Sequence, residues 1–113
     1  MNADLPASMP SSVLVIDDVE ANRDLLSRRL QRQGYSVVVA ENGRRAIEQL
    51  QLQPFDLILC DIMMPEMNGF EVLEHLKADT ALRHIPVIMI SALDDIDSVV
   101  HCIELGAEDY LFK

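Results

Sequence analysis

The side chains able to do chemistry fall in a pattern. Asp17 and Asp18 follow the apolar run Val13-Leu14-Val15-Ile16, and Asp61 follows Leu57-Ile58-Leu59-Cys60. Ser91 follows Val87-Ile88-Met89-Ile90, and Lys113 follows Tyr110-Leu111-Phe112. Each is the first polar residue after its run, with Asp18 directly behind Asp17. If the runs are strands of one parallel sheet, their carboxyl ends share an edge, and open α/β sheets bind ligands at that edge. It would collect three carboxylates, a hydroxyl and an ammonium. Crowded carboxylates raise one another's pKa unless a cation joins them. A hard, oxygen-seeking dication such as Mg²⁺ meets that need and keeps coordination sites for water and phosphate. Taken singly, each residue has a plainer role: Asp17 or Asp18 as a helix cap, Ser91 as a turn hydroxyl, Lys113 as an exposed lysine. Those roles do not explain why all of them sit at one edge.

The elements that must position these residues are legible too. A further run, Val37-Val38-Val39, brings the apolar runs to five. Short, continuous, β-branched runs suit strands buried on both faces. Between them lie helix-period segments. Leu25, Leu26 and Leu30 mark the first, which Gly34 should end. Asn42 is placed to cap the second, with Ala46, Ile47 and Leu50 on one face and Pro54 beyond its end. Asn68 is placed to cap the third, which carries Phe70, Leu73 and Leu76. Ile96, Val99, Val100 and Ile103 mark the fourth, closed by Gly106. These stripes are expected to face the core. Strict βαβα alternation predicts an α/β fold with a doubly wound parallel sheet, and length and element count favour the flavodoxin-like order 2-1-3-4-5.

Bulk properties narrow the function. A chain of 113 residues is one domain. Residues 1–12, with Pro6 and Pro10, read as a flexible tail without a secretory signal, and residues 13–113 as the domain. No apolar run approaches the roughly 18 residues of a membrane span. The net charge of −10, from 19 acidic and 9 basic residues, argues against direct nucleic-acid binding. Cys60 and Cys102 form no close motif and read as buried free thiols, which fits a cytoplasmic setting. His75, His84 and His101 are scattered and read as surface residues, and Met63, Met64 and Met67 as loop packing.

The segment Leu57-Ile58-Leu59-Cys60-Asp61-Ile62-Met63-Met64-Pro65-Glu66-Met67-Asn68-Gly69 resembles the phosphoacceptor strand and loop of the receiver domains of bacterial two-component response regulators. The Asp17-Asp18 pair, Ser91-Ala92 and Tyr110-Leu111-Phe112-Lys113 are similar to the same family at matching spacings. The resemblance implies a phosphorylation-dependent signalling switch, not an enzyme with a separate substrate. Asp61 would accept a phosphoryl group from the phosphohistidine of a sensor histidine kinase or phosphotransfer protein. Asp18, Asp61 and the backbone carbonyl of Met63 would hold Mg²⁺ directly, and Asp17 mainly through water. Lys113 would neutralise charge on the transferring oxygens, and Ser91 would hydrogen-bond the phosphoryl group. Tyr110 would be the aromatic that moves with Ser91, changing the surface around helix four and strand five that an output domain or partner reads. In the loop after Asp61, Pro65 restrains the turn and Gly69 permits an unusual backbone angle.

The family's pattern continues with a proline and a fifth helix, and here the sequence ends at Lys113. The expectation is a sheet lacking that helix, with part of one face bare and self-association as one way to cover it. Two other readings share this chemistry. An aspartyl-phosphate phosphohydrolase on a similar fold would carry Asp-x-Asp after its first strand, where this chain has Asp17-Asp18-Val19. A degenerate receiver, working unphosphorylated as an interaction module, would lack an acidic residue or the lysine, and none is missing.

Overall fold

The computed structural model describes residues 11–113; the tail expected over residues 1–12 lies, up to residue 10, outside the described residues. Strands and helices alternate: β1 (Ser12–Ile16), α1 (Glu20–Arg32), β2 (Ser36–Ala40), α2 (Gly43–Leu52), β3 (Leu57–Asp61), α3 (Gly69–Ala78), β4 (Val87–Ser91), α4 (Ile96–Glu104) and β5 (Asp109–Phe112). Ser12 opens β1 instead of closing a tail. It pairs with Ser36, and its amide donates to the Asp56 carboxylate at 2.7 Å.

The five strands are parallel, as the alternation implies, in the expected order β2-β1-β3-β4-β5. The apolar runs form the five strands. Those of the central three are buried at Val13, Leu14, Val15, Ile16, Ile58, Leu59, Cys60, Val87 and Met89, whereas the runs on the edge strands β2 and β5 leave Val39, Leu111 and Phe112 exposed. Alternate side chains divide between two layers. Val13, Val15 and Leu59 meet Leu26 and Leu30 of α1 on one face. Leu14, Ile16, Ile58, Cys60, Val87 and Met89 meet α2, α3 and α4 on the other.

Helix ends follow local chemistry. The Asn42 side chain accepts from the Arg45 amide at 2.8 Å, and Asn68 and Glu71 form a reciprocal capping box. Gly34 and Gly106 adopt φ of 94° and 107° after α1 and α4, the left-handed turn that ends helices.

Two stripes face the core only in part. In α4, Ile96 is 70% exposed, and Val100 and Ile103 are exposed beside it; the helix buries Cys102 instead. Periodicity shows which residues share a face of a helix but not which face turns inward. In α1 no residue is fully buried, and Leu25 is exposed. Leu25 and Leu26 line an open cleft of about 380 Å³ with Ile90, Leu111 and Phe112, so this side of the sheet is less covered than the other.

Candidate functional site

The carboxyl edge of the sheet gathers the side chains singled out above. β1 ends beside β3, with Ile16 opposite Cys60, which places Asp17 next to Asp61. Asp17 and Asp61 are buried, Asp18 is exposed, and carboxylate oxygens of all three lie within 4.8 Å of one another. Neither Asp17 nor Asp18 caps α1: Val19 holds that position, and no side chain caps it. The Asp17 carboxylate instead accepts from the Val19 amide at 2.9 Å.

Lys113 is no ordinary surface lysine. β5 lies beside β4, and the Lys113 amide donates to the Ser91 carbonyl at 2.9 Å. That register carries the ammonium across β4 to the acidic pair. Lys113 Nζ lies 3.0 Å from Asp17 Oδ2 and 3.0 Å from Asp61 Oδ2. Burial raises the Asp61 carboxyl above its ordinary range; the Lys113 hydrogen bond opposes this, and the Asp17 charge adds to it. Partial burial works against the Lys113 ammonium. Its bonds to Asp61 and Asp17 outweigh that and leave its pKa above the usual lysine value.

Two loops complete the edge. After β3, the Met63 amide donates to Asp61 Oδ1 at 3.3 Å while its side chain, 59% exposed, lies over the surface. Loop packing thus holds for Met64 and Met67 but not for Met63. The unusual backbone angle in this loop belongs to Glu66, at φ 68°, not to Gly69. Gly69 is required for another reason: an added Cβ would collide with the Asp61 carbonyl oxygen and come within 2.7 Å of Ile62 Cα. The absent side chain lets α3 start against the strand that carries Asp61.

After β4, Ser91 Oγ accepts from the Leu93 amide at 3.1 Å, the turn role that Ser91 could have had alone. The Tyr110 hydroxyl donates to the Leu93 carbonyl at 2.7 Å, and its ring packs edge-on to Phe112. Leu93 is therefore tied on both sides by residues singled out in the sequence. His75, His84 and His101 are exposed, away from this edge, with the His101 ring tilted by 59° against Phe70 at a centroid distance of 4.7 Å. Cys60 and Cys102 are free and buried, and burial raises both thiols, Cys102 to about 11.

Sequence reasoning missed Arg23. Its guanidinium reaches back from α1 to the Asp17 carbonyl at 2.8 Å. An arginine one turn into a helix is common, and nothing in its spacing distinguishes it.

The donor set suits a hard dication: carboxylates supply the side-chain oxygens, and the nearest cationic group is one ammonium shared between two of them. In comparison with known proteins, the family model described as "Response regulator receiver domain" matches residues 13–113. The response regulator PleD of Caulobacter vibrioides is 43% identical over 105 residues, covering 93% of this chain and 23% of PleD. The chain thus spans about a quarter of that relative's length. The chemotaxis protein CheY4 of Vibrio cholerae superposes with a TM-score of 0.88 at 31% identity, over 92% of this chain and 87% of CheY4. The response regulator Rcp1, solved in a Mn(2+)-bound form, superposes with a TM-score of 0.84 at 29% identity, over 92% and 81%.

Proposed function

The chain belongs to the family of response regulator receiver domains, and on that basis we propose that it works as a switch thrown by phosphorylation of Asp61. The observation that carries this reading is the Lys113 ammonium held 3.0 Å from both Asp17 and Asp61, beside a third carboxylate, at the ligand-binding edge of the sheet.

The phosphoryl donor is a phosphohistidine on a sensor histidine kinase or phosphotransfer protein. An Asp61 oxygen forms the new bond to phosphorus as the phosphorus–nitrogen bond breaks, and the departing imidazole keeps the electron pair. The product is an acyl phosphate. Such transfers need positioning and charge neutralisation more than covalent help. Lys113, already at Asp61, is placed to draw negative charge from the transferring oxygens. Ser91 would donate its hydroxyl to a phosphoryl oxygen once the group has arrived.

Asp18, Asp61 and the Met63 carbonyl would hold Mg²⁺, with Asp17 acting through water. The ion would offset carboxylate repulsion and the charge of the phosphoryl oxygens. The Mn(2+)-bound form of Rcp1 supports a dication on this fold.

The output surface is the one around α4 and β5. Ile96, Val100, Ile103 and Phe112 are exposed there, and Tyr110 and Leu93 link that surface to Ser91. An output domain or partner protein would read it. The acidic balance disfavours direct contact with nucleic acid. Among the described residues no helix is long and apolar enough to cross a membrane, and two free thiols fit a cytoplasmic setting. The open cleft beside α1 is a surface where copies could self-associate.

The test is labelling by acetyl phosphate with and without Mg²⁺, with the modified residue located by mass spectrometry. The expected label is Mg²⁺-dependent, on Asp61, and absent in Asp61→Asn. A label on another residue, or one that survives the substitution, overturns the assignment.

A further inference from the structure

We propose that Arg23 is a positioning residue for Asp18, and so sets the affinity of the acidic edge for its cation. The inference rests on the reading of that edge as a Mg²⁺ site and extends it to a residue outside the site.

The argument starts from the backbone. The β1–β3 ladder ends with Ile16 opposite Cys60, so the Asp17 carbonyl is the first beyond that pairing. Asp17 is 1% exposed, and a carbonyl in such a place needs a donor. Arg23 Nη1 supplies one at 2.8 Å. The Arg23 amide also donates to the Val19 carbonyl at 3.1 Å. The Arg23 side chain thus holds the chain just before Asp18, while the bond of its amide to Val19 is the ordinary first-turn helix bond and the Val19 amide is held by the Asp17 carboxylate at 2.9 Å. Among the described residues no hydrogen bond fixes the Asp18 carboxylate itself. The direction of that carboxylate is inherited from the backbone that the Arg23 side chain anchors at residue 17.

Charge alone gives the opposite expectation. A guanidinium near three carboxylates repels a dication, so deleting it should tighten Mg²⁺ binding. The positioning role makes deletion weaken it, because Asp18 loses its alignment with Asp61. The sign of the change separates the two accounts.

The experiment is calorimetric titration of the full chain with Mg²⁺, well below the melting temperature, for wild type, Arg23→Lys and Arg23→Ala. In parallel, hydrogen exchange of the Val19 amide is followed without metal. Arg23→Ala should bind Mg²⁺ about 3–10-fold more weakly, the scale of one lost hydrogen bond, and Val19 should exchange faster. Arg23→Lys, which keeps a donor and the charge on a shorter reach, should recover part of both effects. Mg²⁺ affinity in Arg23→Ala equal to or tighter than wild type overturns the proposal. If Arg23→Ala does not fold, Arg23→Lys decides: affinity and exchange equal to wild type overturn it, and weaker binding with faster exchange supports it. If wild type binds no Mg²⁺, the metal reading of the edge fails. The exchange rates then decide whether Arg23 holds the backbone, unchanged rates counting against it.

Discussion

Replacing Lys113 by methionine keeps much of the aliphatic length and removes the charge, which leaves Asp17 and Asp61 facing each other. Each carboxylate lies 3.0 Å from the ammonium. At an effective dielectric of about 20 that is about 5–6 kcal/mol of gross attraction per pair, much of it returned as desolvation. Removing one partner of a buried pair usually costs about 3–5 kcal/mol. The carboxylate side chains are almost fully buried, but that of Lys113 is 26% exposed, so water already screens the cation. The cost therefore falls nearer 2–3 kcal/mol on that scale, and the melting temperature should drop by roughly 10–20 °C. Two dependences identify the cause. The Asp61 pKa is already raised by burial and rises further without the lysine. A raised carboxyl contributes stability that is intact below the ordinary carboxylate range and lost as pH climbs through the raised value. The gap between Lys113→Met and wild type should thus close in acid and open towards neutral pH. Mg²⁺ should then stabilise the variant more than wild type, since the competing ammonium is gone and stabilisation grows with [Mg²⁺]/Kd. Thermal melts across pH, with and without Mg²⁺, test all of this. A variant that melts within about 3 °C of wild type at neutral pH, or gains no more from Mg²⁺, would refute the argument; the threshold is under 1 kcal/mol on the same scale.

Two further outcomes follow from the loops. Gly69→Ala should cost about 2–3 kcal/mol, the upper part of the overpacking range, because its Cβ meets the backbone of Asp61 and Ile62. Gly43→Ala meets side chains, flexible Met67 and buried Val72, instead of backbone, and should cost less in the same denaturant titration. Met63→Asn should speed loss of the phosphoryl group roughly fivefold, the worth of one hydrogen bond of about 1 kcal/mol to the attacking water. Met63 and Leu93 now line an open cleft with Ile62, Pro65 and Phe70, in the loops that follow Asp61 and Ser91; an unchanged decay of labelled protein would remove that account.

The carboxylate edge was legible because each residue is the first polar one after an apolar run, and a parallel sheet converts that pattern into proximity. The parallel sheet followed from alternation, its strand order from length and element count, and the caps at Asn42 and Asn68 from local chemistry. What could not be read depends on contacts remote in sequence. The stripe on α4 has a clean helical period, yet Ile96 and Ile103 face outward while Cys102 faces the core. Gly69 suggested a special backbone angle, but its small size serves a close approach to Asp61 that no local pattern encodes. Arg23 carries no signal because its partner is a backbone carbonyl, and a carbonyl has no letter in the sequence.

On the proposed reading, the connection from Asp61 to the output surface would run through Leu93. Ser91 Oγ accepts the Leu93 amide, and the Tyr110 hydroxyl donates to the Leu93 carbonyl, so two of the proposed switch residues hold one residue between them. Two residues further on, Asp95 caps α4 by accepting from the Ser98 amide at 2.9 Å. On the proposed mechanism Ser91 turns its hydroxyl towards a phosphoryl oxygen. If Oγ rotates far enough to do so, the Leu93 amide loses its acceptor, and the same displacement loosens the Tyr110 bond at the Leu93 carbonyl. Each of these bonds is worth about 1 kcal/mol net, so exchanging them shifts a population by a factor of several and breaks no core packing. That scale suits a switch: large enough to bias where α4 and its exposed Ile96, Val100 and Ile103 stand, and small enough to reverse when Asp61 loses the group.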